Sequence, residues 1–353
     1  MNFIMMSFLN RFAQRRLRTM AHPAAAGLLA APFPVLIASI AAVIASAQAA
    51  NPTQILAQAN QALQAGHADQ ALTLIQSLPQ GGASLAQAQN LACRVNYALQ
   101  QFDQAVTECQ QAVKLDSQNS VDHDWLGRAV GGKAGQASFL TAFSLGKQTR
   151  TEFETAVKLN PQNADALTDL GSFYQQAPAI VGGGIDKAQG IAAQLDKVDA
   201  SQAHQLRAQI AEGQKDYTTA EQEFKAAITT SAHPADDWST LASFYHRRSR
   251  WTDLDSAIQN CESAAQKDAT AGVAFYDGAG VLIESNRNPA LAAKMLGEYL
   301  ASSSKTEEAP VFEAYVRLAK LKKQLGDATG AKQALATALQ LAHTYKPALG
   351  LKL

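Results

Sequence analysis

The sequence has no surplus of either charge. Thirty basic residues face thirty acidic ones over 353 positions, and charged side chains make up only 17%. An even balance excludes nucleic-acid binding by bulk electrostatics, which needs clustered cations. Low charge together with 47% hydrophobic residues excludes a solvated disordered chain. Cysteine is scarce, and three in 353 residues cannot make a disulfide-stapled scaffold. Aromatic residues reach only 7%, and Val, Ile and Thr do not dominate, which argues against a sheet protein. The chain is rich in alanine instead, with 70 of 353 positions, and Gln and Leu are abundant. These residues favour helix. No H-E-x-x-H, C-x-x-C or G-x-S-x-G string is present. No cofactor or metal site and no enzymatic activity are therefore expected.

Acidic residues are missing altogether from the first fifty positions. Arg11, Arg15, Arg16 and Arg18 form a positive start, and an apolar stretch centred on 35–44 follows. Ala47-Gln48-Ala49 fits the small-x-small pattern of a cleavage site. Residues 1–49 therefore read as a signal peptide. The mature chain from residue 50 is then periplasmic or secreted, with no membrane span. The alternative is an uncleaved anchor in the inner membrane, although Pro32 and Pro34 interrupt that helix. Without the four arginines, 26 basic residues remain against 30 acidic, so the mature chain is slightly acidic.

After residue 50 one pattern recurs. A short polar turn stands before an Ala that opens an apolar helix, as in 63–71, 99–105, 215–220 and 325–331. Anchors at 71, 105, 149, 188, 220, 254, 292 and 331 are spaced by 34, 44, 39, 32, 34, 38 and 39 residues. Small residues recur in the preceding helix at Cys93, Gly127, Gly171, Ala208, Ala242, Gly280 and Ala319. Leu170-Gly171 is followed by Tyr174, and Leu241-Ala242 by Tyr245. This resembles the tetratricopeptide repeat (TPR) family, whose 34-residue unit runs Trp-x2-Leu-Gly-x2-Tyr, then Ala, Phe, Ala and Pro. The resemblance implies an all-α solenoid of helical hairpins over 50–353. It implies about seven to eight repeats in a right-handed superhelix with a concave inner face. Thr149 and Leu254 break the Ala rule at their anchors. Insertions are expected near 128–152, with a flexible break at 131–135, and near 177–187. Tyr174-x2-Ala177-Pro178 with Gly182-Gly183-Gly184 resembles a variant of some exported bacterial TPR proteins.

Carried over from the family, the inward positions of the first helices include Asn90, Arg94, Tyr97, Ser172, Gln175, Gln205, Gln209, Ser243, His246 and Arg247. They make an amide- and hydroxyl-rich groove suited to a protein or peptide partner. Cys93 and Cys109 face each other within one such hairpin, either as a disulfide or as two buried small thiols. The string 127–134 matches G-x4-G-K but has Ala134 where a Ser or Thr must stand. Asp122-His123-Asp124 reads as a helix start rather than a metal site. His246 to Trp251 is a basic-aromatic cluster, either a contact for phosphate or an acidic partner, or a solvated turn. The expected function is a non-catalytic scaffold or adaptor in the bacterial cell envelope. The alternative is a periplasmic ligand-handling or transporter-associated component.

Overall fold

Polar turns cut the alanine-rich chain into helices, and the caps show why each begins where it does. The side chains of Asn51, Asn119, Asn163, Asp199, Asp216, Asn288 and Asp327 each accept a hydrogen bond from a backbone N–H of the first helical turn. These bonds satisfy donors that have no partner inside the helix. The computed structural model describes residues 51–79, 81 and 84–353. The expected signal peptide, 1–49, lies outside the described residues.

Among the described residues there are 17 α-helices, one 3-10 turn and no strand. They pair into eight hairpins: α1 (Pro52–Gln64) with α2 (Ala68–Gln76), α3 (Leu85–Ala98) with α4 (Phe102–Leu115), and α5 (Ser120–Gln136) with α6 (Phe139–Leu159). Next come α7 (Ala164–Gln176) with α8 (Ile185–Leu195), α9 (Ala200–Gly213) with α10 (Tyr217–Thr230), and α11 (Pro234–Arg247) with α12 (Trp251–Ala265). The series closes with α13 (Gly272–Glu284) and α14 (Pro289–Ala301), α15 (Val311–Gln324) and α16 (Ala328–Leu341), and a short α17 (Lys346–Leu349). No described helix is long and apolar enough to cross a membrane. The chain is the helical-hairpin solenoid its repeats implied.

Small residues set the closeness of each pair. Ala71, Ala105, Ala188, Ala220, Ala292 and Ala331 are buried, and so are Thr149 and Leu254 at the two irregular anchors. A Cβ added at Gly127 would lie 2.5 Å from the Phe153 ring, and one at Gly171 would lie 2.4 Å from Leu206. Cys93 and Cys109 are joined across α3 and α4, with Cα atoms 5.2 Å apart.

Six of the eight hairpins share one turn. Gly66, Gln100, Lys215, Ser249, Asn286 and Gly326 each have positive φ two residues after the first helix. The next N–H in each case bonds back to a carbonyl five residues earlier, as from Gln101 to Asn96 and from Asp216 to Ala211. That is the left-handed helix stop. The two hairpins without it are α5/α6 and α7/α8, where the insertions fall. The expected break at 131–135 is helix instead, and α5 runs on to Gln136. Gly132 is there for space, since a Cβ would lie 2.5 Å from the Phe102 ring. In the second insertion Gly182 takes φ +98°, and Gly183 passes so close that a Cβ would meet the Ala177 carbonyl.

The two ends of the solenoid meet. One apolar core runs from Ala208 to Ala348 and continues into Ile55, Leu63 and Leu99 of the first hairpins. Gly66 lies against Val311. The His343 amide donates to Asp69 Oδ2 at 2.8 Å, Gln101 Nε2 to Thr344 Oγ1 at 2.8 Å and Gln100 Nε2 to the Tyr345 hydroxyl at 3.2 Å. Eight hairpins therefore make one closed turn.

Candidate partner-binding face

The first helices of successive hairpins stand side by side, α1 by α3, α3 by α5, α5 by α7 and α7 by α9. Their polar side chains reach sideways to the next repeat. Asn90 Nδ2 donates to Asp122 Oδ1 at 2.8 Å, and Arg128 Nε to Asp169 Oδ2 at 2.6 Å. Gln175 Nε2 donates to the Gln209 carbonyl at 3.1 Å. Gln205 and Ser201 both donate to Asp237 Oδ1. Arg247 forks onto Glu212 with two bonds of 2.7 Å. Several residues expected to face a partner thus also tie neighbouring repeats together.

A segment of the chain itself lies along this face. Residues 302–310 link α14 to α15 and form a strap. Its base is fixed by the Ser304 hydroxyl, which donates to the Thr270 carbonyl at 2.6 Å, and by the Tyr299 hydroxyl, which donates to the Ala309 carbonyl. Its tip reaches across the closed turn. Glu307 pairs with Arg94 of α3 through both Nε and Nη2. Glu308 accepts from Arg128 Nη1 of α5 at 2.8 Å. Both guanidiniums lie against the Trp125 ring, Arg128 at 4.6 Å and Arg94 at 5.6 Å from its centroid. Tyr97 meets Trp125 edge-on at 5.6 Å.

Arg128 stands in an acidic bed of Asp124 from α5 and Asp165 and Asp169 from α7, and Asp122 lies earlier on α5 against Asn90. Burial pushes Asp124 and Asp165 each up to about 7, although Arg128 pulls both down. Burial also lifts Asp122 to about 6, with Asp116 adding to the rise. Asp169 is raised too, because burial outweighs its bond to Arg128. Removing a charge from water costs more than one partner returns. For Arg128, burial acts to lower the pKa, but the carboxylates of Asp169, Asp124 and Glu308 together hold it above its usual range. Arg128 Nη2 has no hydrogen-bond partner among the described residues.

The sequence-predicted residues fall into two groups. Arg94 and Tyr97 gather around Trp125, and Asn90 is buried against Asp122. Gln175, Gln209, Ser243 and Arg247 continue along α7, α9 and α11, whereas Ser172 and Gln205 are buried. His246 turns to the Trp251 ring, 6.0 Å between centroids. The basic cluster there is internally engaged: Arg250 pairs with Glu221 and Asp253, and Arg248 covers Tyr217. Asp122-His123-Asp124 does stand at a helix start, with Asp122 in the first turn, but the capping role falls to Asn119; Asp122 and Asp124 are interior, and His123 Nδ1 lies 2.7 Å from Glu152 Oε2. The string 127–134 is helical throughout, within α5. Sequence reasoning missed Trp125, Arg128, Asp169, Glu307 and Glu308. Helical spacing from Arg94 along the repeat pointed to Arg128, but nothing local marks the strap.

Residues 312–344, the α15/α16 hairpin, match the tetratricopeptide repeat model. No curated protein matches the chain in sequence. A thermophilic TPR protein from Thermus thermophilus is similar in structure with 20% identity and a TM-score of 0.46, over 55% of this chain and 98% of that one. A tetratricopeptide repeat protein from Parabacteroides merdae is 13% identical, with a TM-score of 0.39, over 85% and 99%. The APC/C hetero-tetramer Cut9–Hcn1 is 10% identical, with a TM-score of 0.38, over 87% and 56%. The match is confined to α15 and α16, and the seven hairpins before it are likewise pairs of helices, five of them joined by the same left-handed turn.

Proposed function

We propose that this protein is a non-catalytic scaffold of the cell envelope that binds a polypeptide segment along its inner face. The fold points to a protein-interaction scaffold. One observation carries the finer reading: the inner face already accommodates a non-helical peptide segment, residues 302–310, which presents Glu307 and Glu308 from a turn to α3 and α5. Neutral amide and hydroxyl groups along α7, α9 and α11 extend the same track. The envelope location rests on the leader-like segment 1–49.

The meeting of the chain ends favours a second reading, a closed chamber that handles a small ligand. The strap within the turn supports the polypeptide reading instead, since it occupies interior space. A photoreactive residue placed at Gln209 tests the two. Crosslinks to a polypeptide from 209, and none from exposed Gln333 on α16, are expected in envelope fractions. Equal crosslinking from both positions, or none from either, counts against the inner face as the binding surface.

A further inference from the structure

We propose that the strap at 302–310 is a built-in occupant of the groove, and that the partner displacing it is a non-helical segment with two adjacent carboxylates. This rests on the polypeptide reading above and names the chemistry of its ligand. The strap residues 302–308 are half-buried or exposed and belong to no helix. What seats them is the pair of glutamates. Arg94 and Arg128 receive one each, and both lie over Trp125. A guanidinium held in place by a ring is organised for carboxylate oxygens. Arg128 Nη2 remains as a spare donor in the same place, on a residue that is 5% exposed.

The charged groups around the two glutamates are Arg94 from α3, Asp124 and Arg128 from α5, and Asp165 and Asp169 from α7. Fully ionised, three aspartates would repel an acidic segment. Burial keeps Asp124 and Asp165 protonated up to about 7, so the bed loses charge below neutrality. An acidic occupant then gains affinity as pH falls from 8 towards 6. A basic partner has the opposite dependence. The tethered strap competes at an effective concentration on the order of millimolar, so a free ligand binds the intact protein weakly until it outcompetes the tether.

The test uses a fluorescent peptide with the sequence of residues 302–310, a control with both glutamates replaced by glutamine, and a second control with both replaced by lysine. The full chain carrying Glu307→Gln and Glu308→Gln is expected to bind the acidic peptide at least tenfold more tightly than the wild type. Adding Arg94→Gln should abolish that gain. A second measurement needs no variant. Excess acidic peptide with its lysine replaced by norleucine, so that trypsin does not cut it, should speed trypsin cleavage of the wild type after Lys305 several-fold, read by mass spectrometry. Equal affinity for the glutamine control, tighter binding of the lysine control, or cleavage at Lys305 unchanged by the peptide overturns the proposal. Crosslinks from position 209 that persist in that event leave the scaffold reading standing. Their absence beside normal strap exchange removes the scaffold reading instead.

Discussion

Gly127 sits where a helix crossing leaves no room for a side chain. Replacing it by Ala gains about 0.8–1 kcal/mol of helix propensity. The added Cβ would lie 2.5 Å from the buried Phe153 ring, which has nowhere to turn. Overpacking of that kind costs about 1–3 kcal/mol, so the clash wins. Gly127→Ala should destabilise the protein by roughly 1 kcal/mol, seen as a lower urea midpoint at unchanged slope. The acidic bed gives a second expectation. An unfolded aspartate titrates near 3.9, whereas Asp124 and Asp165 in the fold titrate at about 7. The folded state holds the extra protons between those values. The contribution of these two groups to stability is therefore fullest below pH ~4 and declines as pH rises towards 7. Asp165→Asn should flatten this decline, measured as thermal midpoints at pH 5, 6, 7 and 8. An unchanged slope would mean that the bed does not titrate in this range.

The elements repeat more faithfully in their turns than in their sequences. Lys215, Gln100, Ser249 and Asn286 do at positive φ what Gly66 and Gly326 do without cost. A side chain in the left-handed region costs about 1–2 kcal/mol, offset by ~0.4–1 kcal/mol of unfolded-state entropy that glycine would add. Lys215→Gly should therefore stabilise by up to about 1 kcal/mol in a chemical-denaturation series. Two tyrosines show another repeated device. The Tyr174 hydroxyl donates to Glu154 at 2.7 Å and the Tyr245 hydroxyl to Glu221 at 2.9 Å, each binding a first helix to the second helix before it. Burial would lift the Glu221 carboxyl, but bonds from Arg250, Lys225 and Tyr245 outweigh it and hold it at about 2. Much of this level was legible in the sequence. The spacing of Ala71, Ala105, Ala220 and Ala331 located the hairpins, and Tyr174 and Tyr245 marked the junctions. The glycines of 131–135 misled because a glycine needed for contact and one needed for flexibility look alike in sequence. Only Phe102, thirty residues away, tells them apart. The candidate face was half legible. Asn90, Arg94 and Tyr97 follow from helical position, whereas Glu307 and Glu308 lie 213 and 180 residues from the arginines they meet. No local pattern encodes such a pairing.

At the scale of the whole molecule, closure changes how the solenoid should unfold. An open stack is a one-dimensional array whose terminal repeats fray first, because each has one neighbour. Here the first and last hairpins have each other. Val311, 5% exposed, packs on Gly66, and Asp69 receives the His343 amide. The terminal helices should then exchange their amide hydrogens about as slowly as α9 and α10. Val311→Asp places an unpaired charge in that junction, a change costing several kcal/mol unless the carboxyl keeps its proton or the ends part. Parting is the cheaper outcome, because it returns the carboxylate to water and breaks only the contacts between the two terminal hairpins. Hydrogen-exchange mass spectrometry of Val311→Asp should therefore show protection lost together in 52–76 and 311–341, with 200–230 little changed. The strap crosses the same closed turn from α14 to α3 and α5, so opening the ends should also loosen Glu307 and Glu308 from Arg94 and Arg128. Faster trypsin cleavage after Lys305 in this variant is the accompanying expectation. Loss of protection confined to 311–341 would instead show that the first hairpin is stable without its distant partner and that the ring is not a cooperative unit.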